Sequence, residues 1–192
     1  MNPSIVLAVA VLVATAPFSA NAESDQSEHI ARPQLPTTEL TKLLDSVGAR
    51  LEKRFLIDRN VDAVIVVGTL SLDDVDYDDL LVIMRNNELA VVPADDALSV
   101  VPVDRVRQYG LPVVTDLSQP RPAEEWITYV HVLERTSPEW LIPILRPLLP
   151  QAGHMAAFPP SNAIIIADRH ANVRRVVAVI ESLDRNAVME EN

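Results

Sequence analysis

The chain lacks cysteine and has few aromatic residues and few glycines. Its 192 residues include no cysteine and 4 glycines, and aromatic residues make up 4% of the total. The absence of cysteine excludes disulfides, a cysteine nucleophile and lipid attachment at a cleavage-site cysteine. Because 48% of the residues are nonetheless hydrophobic, the core is predicted to consist of aliphatic side chains.

Positive charge is also scarce. The sequence has 16 Lys and Arg against 27 Asp and Glu, a net charge of −11 and a pI of about 4.7. Such a balance repels nucleic-acid phosphates and opposes non-specific binding to them. A β-α-β-β-α unit near the C-terminus has the element order of small RNA-binding modules, but those modules use a Gly-x-x-Gly loop. Only Gly153 stands at that place, so no nucleic-acid partner is expected.

One apolar run occurs, at the N-terminus. Ile5–Ala16 is apolar except for Thr15, and the small residues Ala20 and Ala22 follow. This pattern predicts a secretory signal peptide over residues 1–22, cleaved after Ala22, although no Lys or Arg precedes the run. An uncleaved anchor is the alternative, but the run is shorter than the roughly 20 residues that a membrane span needs. The mature protein is expected to be exported, with no direct membrane span.

After a polar lead at residues 23–36, predicted to be disordered, a first unit is predicted over residues 37–103. An amphipathic helix, with Thr38 as its N-cap, presents apolar residues at helical spacing. These are Leu40, Leu43, Leu44, Val47 and Leu51. Strands at Phe55–Ile57 and Ala63–Leu70, a second helix, and a hairpin of Leu89–Pro93 with Leu98–Val101 complete an α-β-β-α-β-β order.

The densest acidic cluster precedes the second helix. Its members are Asp73, Asp74, Asp76, Asp78 and Asp79. A calcium loop would place Asp79 where the turn needs glycine and Arg85 where the site needs a bidentate glutamate. The cluster is therefore interpreted as the acidic N-terminus of a helix, where carboxylates meet the positive end of the helix dipole.

Residues 104–125 are predicted to form a proline-containing linker with a brief strand at Val113–Val114. The second unit, residues 126–185, is predicted to be β-α-β-β-α, with an acidic tail at 186–192. Its last helix is predicted to bury one face and to begin at Asp168 as the N-cap. The buried face is predicted from Val173, Val176, Val177, Ile180 and Leu183.

Residue patterns for catalysis or metal binding are weak. The four histidines show no i, i+4 pair on a helix, and there is no G-x-S-x-G motif and no phosphate-binding glycine loop. We therefore predict no catalytic residue, no cofactor and no metal site, and the protein is not expected to be an enzyme.

A family resemblance is carried by LRPLLPQAGHMAAFPPSNAIIIADRHANVRRVVAVIESLD, residues 145–184. It resembles the ring-forming N-domain of bacterial secretins of type II secretion and type IV pilus systems, in its LxPLxP-like turn, P-x-N-x-L-I-I-x-D strand and final I-x-x-L/I-D. The segments FLIDRNV, VIVVGTLSL and LAVVP…LSVVPV resemble the preceding secretin domain, shared in outline with the signalling domain of TonB-dependent receptors.

The resemblance implies an α+β protein of two small domains: a first α/β sandwich with small mixed sheets and a second, KH-like one. Secretins continue into further domains and an outer-membrane barrel. Since this sequence shows no such region, it is not expected to form the pore.

The implied function is a periplasmic, non-enzymatic protein–protein interaction module. It would serve as an accessory or assembly component of a type II secretion or related pilus or export system, associated with an outer-membrane secretin complex. The implied partners are a secretin, an inner-membrane secretion or pilus component, or further copies in a ring. A periplasmic signalling or ligand-binding module with the same folds is the alternative.

Two sets of residues are singled out within the second unit. Arg169, Arg174, Arg175 and Trp126 are predicted to form an interaction surface, and Pro160, Asn162 and Asp168 are predicted to shape turns. The edge of Trp126–Leu133 is a candidate for strand addition by a partner.

Overall fold

A computed structural model describes residues 36–187 of the chain. The predicted signal peptide, nearly all of the predicted lead, and residues 188–192 of the predicted tail lie outside the described residues. The described part confirms the predicted α+β class with several small sheets, and none of its helices is long and apolar enough to cross a bilayer. The domain boundaries proposed above stay predictions, and we call residues 36–103 the first half and 104–187 the second half.

The described part of the chain contains four α-helices and nine strands. In order they are β1 Thr37–Glu39, α1 Leu40–Leu51, β2 Arg54–Ile57, β3 Val64–Val66, α2 Tyr77–Asn86, β4 Leu89–Ala94, β5 Ala97–Pro102, β6 Val113–Val114, β7 Trp126–Val132, α3 Pro138–Leu145, β8 His154–Phe158, β9 Ala163–Arg169 and α4 His170–Asn186. Short 3-10 helices lie at Val103–Gln108, Arg146–Leu148 and Pro159–Ser161.

In the first half, α1 and α2 contribute their apolar faces to a core shared with two small sheets. One sheet pairs β1 with β3, and the other has the order β2-β5-β4. Two sequence predictions are wrong here. Thr38 is not a helix cap, because it lies in β1 and pairs with Ile65. The strand predicted over Ala63–Leu70 is only Val64–Val66, since Gly68 turns the chain with a φ of +70°.

The acidic cluster forms the start of α2, as predicted. Asp76 is the N-cap, and its carboxylate accepts the backbone N–H of Asp79 at 2.8 Å. The Asp79 carboxylate accepts the N–H of Asp76 in return, which completes a capping box. The acidic residues thus satisfy helix N–H groups that would otherwise lack an intrahelical acceptor.

In the second half, a sheet of order β6-β7-β9-β8 carries α3 and α4 on one face. The predicted β-α-β-β-α order is confirmed. Helix α3 passes into a 3-10 turn at Arg146–Leu148, where Pro147 cannot donate the hydrogen bond that an α-helix requires. The core between sheet and helices is aliphatic, with Ile127, Ile164, Ile166 and Ile180 each fully buried.

A third apolar cluster joins the two halves. Trp126, at the start of β7, is 2% exposed and packs with Ala90 and Val92 of β4 and Val101 of β5. Val106, in the segment predicted to be a linker, is fully buried in the same cluster. This segment therefore does more than connect, because it forms part of the packing between the halves.

Candidate interaction surface

The second-half sheet has one face that the helices leave uncovered. Successive strand residues point to opposite faces, and Ile127 and Tyr129 of β7 join the core under the helices. Val130 and Val132 therefore point to the other face, where they are 46% and 61% exposed. Phe158 of β8 shares this face and is 48% exposed.

Strand register shows that these side chains form continuous rows. Val132 pairs with Ala163, which pairs in turn with Phe158. Val130 pairs with Ile165, which pairs with Ala156. We call this surface, with Val113 of β6 (68% exposed), the open sheet face. Exposed apolar patches are typical of protein-contact sites in soluble proteins, so this face is a candidate interaction surface.

The edge of β7, predicted as a site for strand addition, is only partly free. Strand β7 pairs with β9 along its whole length and with β6 at Thr128 and Tyr129. On the β6 side, the edge therefore lacks a strand partner in the described chain at Trp126 and Ile127 and from Val130 to Val132. Since β6 has two residues, it cannot cover more of β7.

A second apolar surface lies on the helix side of the same sheet. Trp140 and Ile144 of α3 are 76% and 62% exposed. They are four residues apart and so are neighbours on one flank of the helix, while Leu141 and Leu145 of the same helix point into the core. The second half thus exposes apolar side chains on both of its layers.

Trp126 does not belong to the exposed surface predicted from the sequence. The hairpin of β4 and β5 covers it, so its indole is unavailable to a partner. Trp126 pairs with Arg169 across the sheet, and the Arg169 guanidinium lies 5.2 Å from the indole ring centre. This arrangement is a cation–π contact at the end of the open sheet face nearest the first half.

Arg169 also belongs to an ion cluster between the halves. The Arg169 Nε lies 3.2 Å from Glu124 Oε2, and Arg85 Nη1 of α2 donates to Glu124 Oε1 at 2.7 Å. Glu124, which is 14% exposed in its side chain, therefore links two arginines from different halves. The side chains of these pairs are 14–43% exposed, so solvent screens them in part and we expect them to stabilise by about 1 kcal/mol, less than the apolar contact of Trp126.

The start of α4 differs from its prediction at Asp168. The N-cap position is Arg169, because β9 runs one residue further than expected. The N–H groups of His170 and Ala171 donate to the carbonyl oxygens of Glu125 and Ala123, so linker backbone satisfies the helix start. Asp168 is instead fully buried.

The Asp168 carboxylate has two local donors. It accepts the N–H of Arg169 and the side-chain amide of Asn172 at 2.7 and 2.5 Å. Burial nevertheless raises the pKa of Asp168 above its usual value, although those hydrogen bonds and the charges of Arg169 and Arg175 oppose the rise.

Arg174 and Arg175 are both exposed on α4, yet their surroundings differ. Arg175 donates to the side-chain oxygen of Asn172 at 2.9 Å and to the carbonyl oxygen of Leu148 at 2.7 Å. The structure places it at the rim of a cleft shared with Arg169 and Arg85. Arg174 does not line that cleft, so the structure separates two residues that the sequence grouped together.

Asn162 occupies the turn between β8 and β9 in the left-handed conformation, with a φ of +49°. Its side-chain amide donates to the carbonyl oxygens of Leu133 and Thr136 at 2.9 and 3.2 Å. Pro160 lies in the 3-10 turn just before it. The turn is thereby tied to the segment between β7 and α3.

Asp184, known from the sequence only as the last position of the I-x-x-L/I-D pattern and with no predicted role, holds the same segment from the other side. The prediction that Leu183 completes the buried face of α4 is wrong, because Leu183 is 38% exposed and Asp184 is 6% exposed. The Asp184 carboxylate accepts the backbone N–H groups of Glu134, Arg135 and Thr136 at 2.7–3.0 Å. Burial alone would raise the pKa of Asp184, but these three donors outweigh it and lower the pKa.

Known proteins match this chain both in the second half and over most of its length. Residues 128–188 match the family described as the bacterial type II/III secretion system short domain. The secretin XcpQ of Pseudomonas aeruginosa is 31% identical over 155 residues, which cover 79% of this chain and 22% of XcpQ. The secretin GspD 2 of Escherichia coli is 30% identical over 152 residues, covering 77% of this chain and 22% of that protein.

The chain is a relative of the bacterial secretins. Its sequence corresponds to their N-terminal region and spans about a fifth of the length of these curated relatives, 22% in each case. A solved structure of the Klebsiella pneumoniae type II secretion system outer membrane complex, with PulD, PulS and the PulC HR domain, contains a chain of similar fold. It matches with a TM-score of 0.65 at 22% identity, over 80% of this chain and 26% of that one.

The residues of the open sheet face were not singled out from the sequence. One sequence feature could have indicated them. In β7, WITYVHV, apolar residues occur both among the residues that point to one face and among those that point to the other. Such a strand is expected to be covered on both faces, and the exposure of Val130 and Val132 shows that one cover is missing within the described chain.

Proposed function

We propose that the chain is a periplasmic, non-enzymatic interaction module that acts as an accessory or assembly component of a type II secretion or related export system. The relationship to the N-terminal region of secretins supports the choice of system. The open sheet face carries the proposal that the module works by protein contact. Its exposed Val113, Val130, Val132 and Phe158 would lose contact with water when a partner binds.

Self-association in a ring is one form that this contact can take. The open sheet face and the α3 flank of Trp140 and Ile144 are chemically alike but lie on different layers of the second half. Packing the helix layer of one copy on the open sheet face of the next gives a head-to-tail contact, which closes into a ring when the rotation between copies allows it. Such a ring need not be stable in dilute solution, since small contacts are weak.

The proposed partners follow from the relatives. The Klebsiella pneumoniae complex contains PulD together with PulS and the PulC HR domain. By analogy, we propose a secretin or an inner-membrane secretion component as the partner of this chain, and association with an outer-membrane secretin complex. Export to the periplasm would follow from removal of the predicted signal peptide at residues 1–22.

Crosslinking in intact cells, followed by mass spectrometry of the partners, tests this function. The proposal expects a secretin, an inner-membrane secretion component or a second copy in the crosslinked species, and loss of these species for Val130→Asp. Leu70→Asp is the matched control, because Leu70 is 44% exposed, much like Val130, but lies in the first half. Recovery of a TonB-type receptor alone, or of no envelope partner, would contradict the proposal.

A further inference from the structure

A cleft lined by three arginines lies where α2, the linker, β9 and α4 meet. Its volume is about 360 Å³. Arg85 of α2, Arg169 of β9 and Arg175 of α4 line it, and Glu124 is the single acidic residue of the lining. We call it the arginine cleft. Because the whole chain carries a net charge of −11, a local excess of positive charge is unusual for its surface.

Glu124 shows that the arginine cleft can hold a carboxylate. Its Oε1 accepts Arg85 Nη1 at 2.7 Å, while its Oε2 lies 3.2 Å from Arg169 Nε. Arg175 has no acidic ion-pair partner among residues 36–187 and is bound only to neutral oxygens of Asn172 and Leu148. A guanidinium has five N–H donors in a fixed planar arrangement, so Arg169 and Arg175 both retain donors for a second carboxylate.

Two other features lie near the arginine cleft, and neither occupies its solvent-facing donors, although the charge of Asp168 is felt by Arg169 and Arg175. The N–H groups of His170 and Ala171 are already bound to linker carbonyl oxygens, so the helix start itself is not the anion site. Asp168 is a nearby carboxylate, but it is fully buried, bonds to the Arg169 N–H and the Asn172 amide, and does not line the cleft. The donors that face solvent are therefore arginine side chains.

The complementary charge is present on the same chain. Asp73, Asp74, Asp76 and Asp78 are exposed at the N-terminal end of α2, whereas Arg85 is near its C-terminal end. Helix α2 has ten residues, which gives it a length of about 15 Å. We call Asp73–Asp78 the acidic loop.

The acidic loop is also fixed in place. Arg50 of α1 donates to the carbonyl oxygens of Asp73 and Val75, which holds the loop against α1. The rigid helix α2 and this anchor keep the acidic loop away from the arginine cleft of its own chain, so a contact between them requires two copies.

We propose that the arginine cleft accepts carboxylates of a neighbouring copy, and that the acidic loop of that copy is its occupant. The inference rests on the proposed function, for which it names a second, charged contact beside the apolar one. The contact is head-to-tail, since the two surfaces of each copy differ. Because Arg175 and the aspartates of the acidic loop are exposed, the contact weakens as salt concentration rises.

Binding of a synthetic peptide to the purified mature chain tests the inference. The probe is a fluorescently labelled peptide SLDDVDYDD, residues 71–79, which contains the acidic loop; it is titrated at low salt and followed by fluorescence anisotropy. We expect saturable binding that salt weakens, and a loss of affinity of roughly tenfold for Arg175→Glu. Arg174→Glu is the matched control and is expected to change affinity less than about twofold, since Arg174 lies outside the cleft.

Further controls separate the alternatives. A peptide with every Asp replaced by Asn is expected not to bind. Circular dichroism checks that Arg175→Glu is folded, and Arg175→Gln replaces it if it is not. No saturable binding, equal losses for Arg174→Glu and Arg175→Glu, or displacement of the peptide by an equimolar amount of inorganic phosphate would overturn the inference.

Failure of the arginine cleft inference and failure of the proposed function give different results. If the peptide does not bind while crosslinking in cells still recovers secretion components, the arginine cleft inference is wrong and the proposed function stands. If the peptide binds but no envelope partner or second copy is recovered in cells, the proposed function fails.

Discussion

The hairpin of the first half and the sheet of the second half carry similar apolar residues but cover them differently. In β4, Leu89 and Val91 face the first-half core, while Ala90 and Val92 pack on the other side with Trp126. Both faces of the hairpin are therefore buried within one chain. In β7, from Val130 to Val132, the helices pack on one face of the strand, and the other face, which carries Val130 and Val132, is exposed.

The difference separates residues that hold the chain together from residues available to a partner. Trp126 and Val130 point to the same face of β7, yet the hairpin covers the first and leaves the second at 46% exposure. The same sheet face thus serves an internal contact at one end and is free at the other. The predictions below test that division.

The largest effect is expected at Trp126. Trp126→Ala removes the largest side chain of the cluster between the halves, and we expect the free energy of unfolding to fall by about 3–5 kcal/mol. Urea unfolding followed by circular dichroism measures the change. Trp140→Ala is the matched control, because Trp140 is 76% exposed, and it should change stability by less than about 0.5 kcal/mol. Equal losses of stability for the two substitutions would contradict the view that Trp126 holds the two halves together while Trp140 does not.

A smaller effect is expected at Asp184, which stabilises the covered side of the second half. In Asp184→Asn, an amide N–H₂ group replaces one oxygen and faces a buried backbone donor. We expect a loss of about 1–3 kcal/mol in the free energy of unfolding. Glu181→Gln, an exposed change on the same helix, is the control and should be nearly neutral.

The pH dependence of Asp184 has a definite sign. Its folded-state pKa is lowered by the three backbone donors, so its stabilisation is fully present above the unfolded pKa of about 3.9 and is lost as pH falls through the folded pKa. The stability difference between the wild type and Asp184→Asn should therefore be largest near neutral pH and shrink below about pH 4. Asp168 titrates in both proteins and cancels in the difference. A stability difference that grows as the pH falls would contradict a lowered pKa for Asp184.

The ion cluster between the halves is expected to matter less than the tryptophan. Glu124→Gln removes the carboxylate that Arg85 and Arg169 share, and we expect it to lower stability by about 1 kcal/mol or less. The effect should diminish in high salt, as measured by urea unfolding at two ionic strengths. A loss as large as that of Trp126→Ala would mean that charge, and not apolar packing, joins the halves.

The smallest effect on stability is expected on the open sheet face. Val132→Asp places a charge on a side chain that is 61% exposed, so the free energy of unfolding should change by about 0.5 kcal/mol or less. Recovery of crosslinked partners from cells should nevertheless fall strongly, since the charge would lose its hydration in a contact. If Val132→Asp is folded and still crosslinks to the same partners, this part of the open sheet face does not belong to the contact.

The order of helices and strands in the second half could be predicted because each has a clear local pattern. The period of Val173, Val176, Val177 and Ile180 marks the buried side of α4, and Pro147 marks the end of α3. Strand β1 was missed because a strand of three residues, TTE, has no periodicity. The cap of α4 was misplaced because linker carbonyl oxygens satisfy the helix start, and no local pattern reveals a partner so distant in sequence.

The candidate surface was harder to predict than the fold. Trp126 was placed in the predicted interaction surface, whereas Ala90, Val92 and Val101, far back in the chain, bury it. Arg175 and Arg174 are adjacent in sequence, and only the three-dimensional meeting of α2, β9 and α4 distinguishes them. Leu183 fits the helical period as well as Asp184, and the choice between them depends on three backbone donors in a distant loop.

Site-specific photo-crosslinking from position 132 in intact cells tests the central claim most directly. A photoreactive residue replaces Val132 in one strain and Leu70 in another, and adducts are identified by mass spectrometry. We expect adducts with a secretin, an inner-membrane secretion component or a second copy from position 132, and few from position 70. Equal adducts from the two positions, or none from position 132 in a folded protein, would contradict the claim that the open sheet face is the interaction surface.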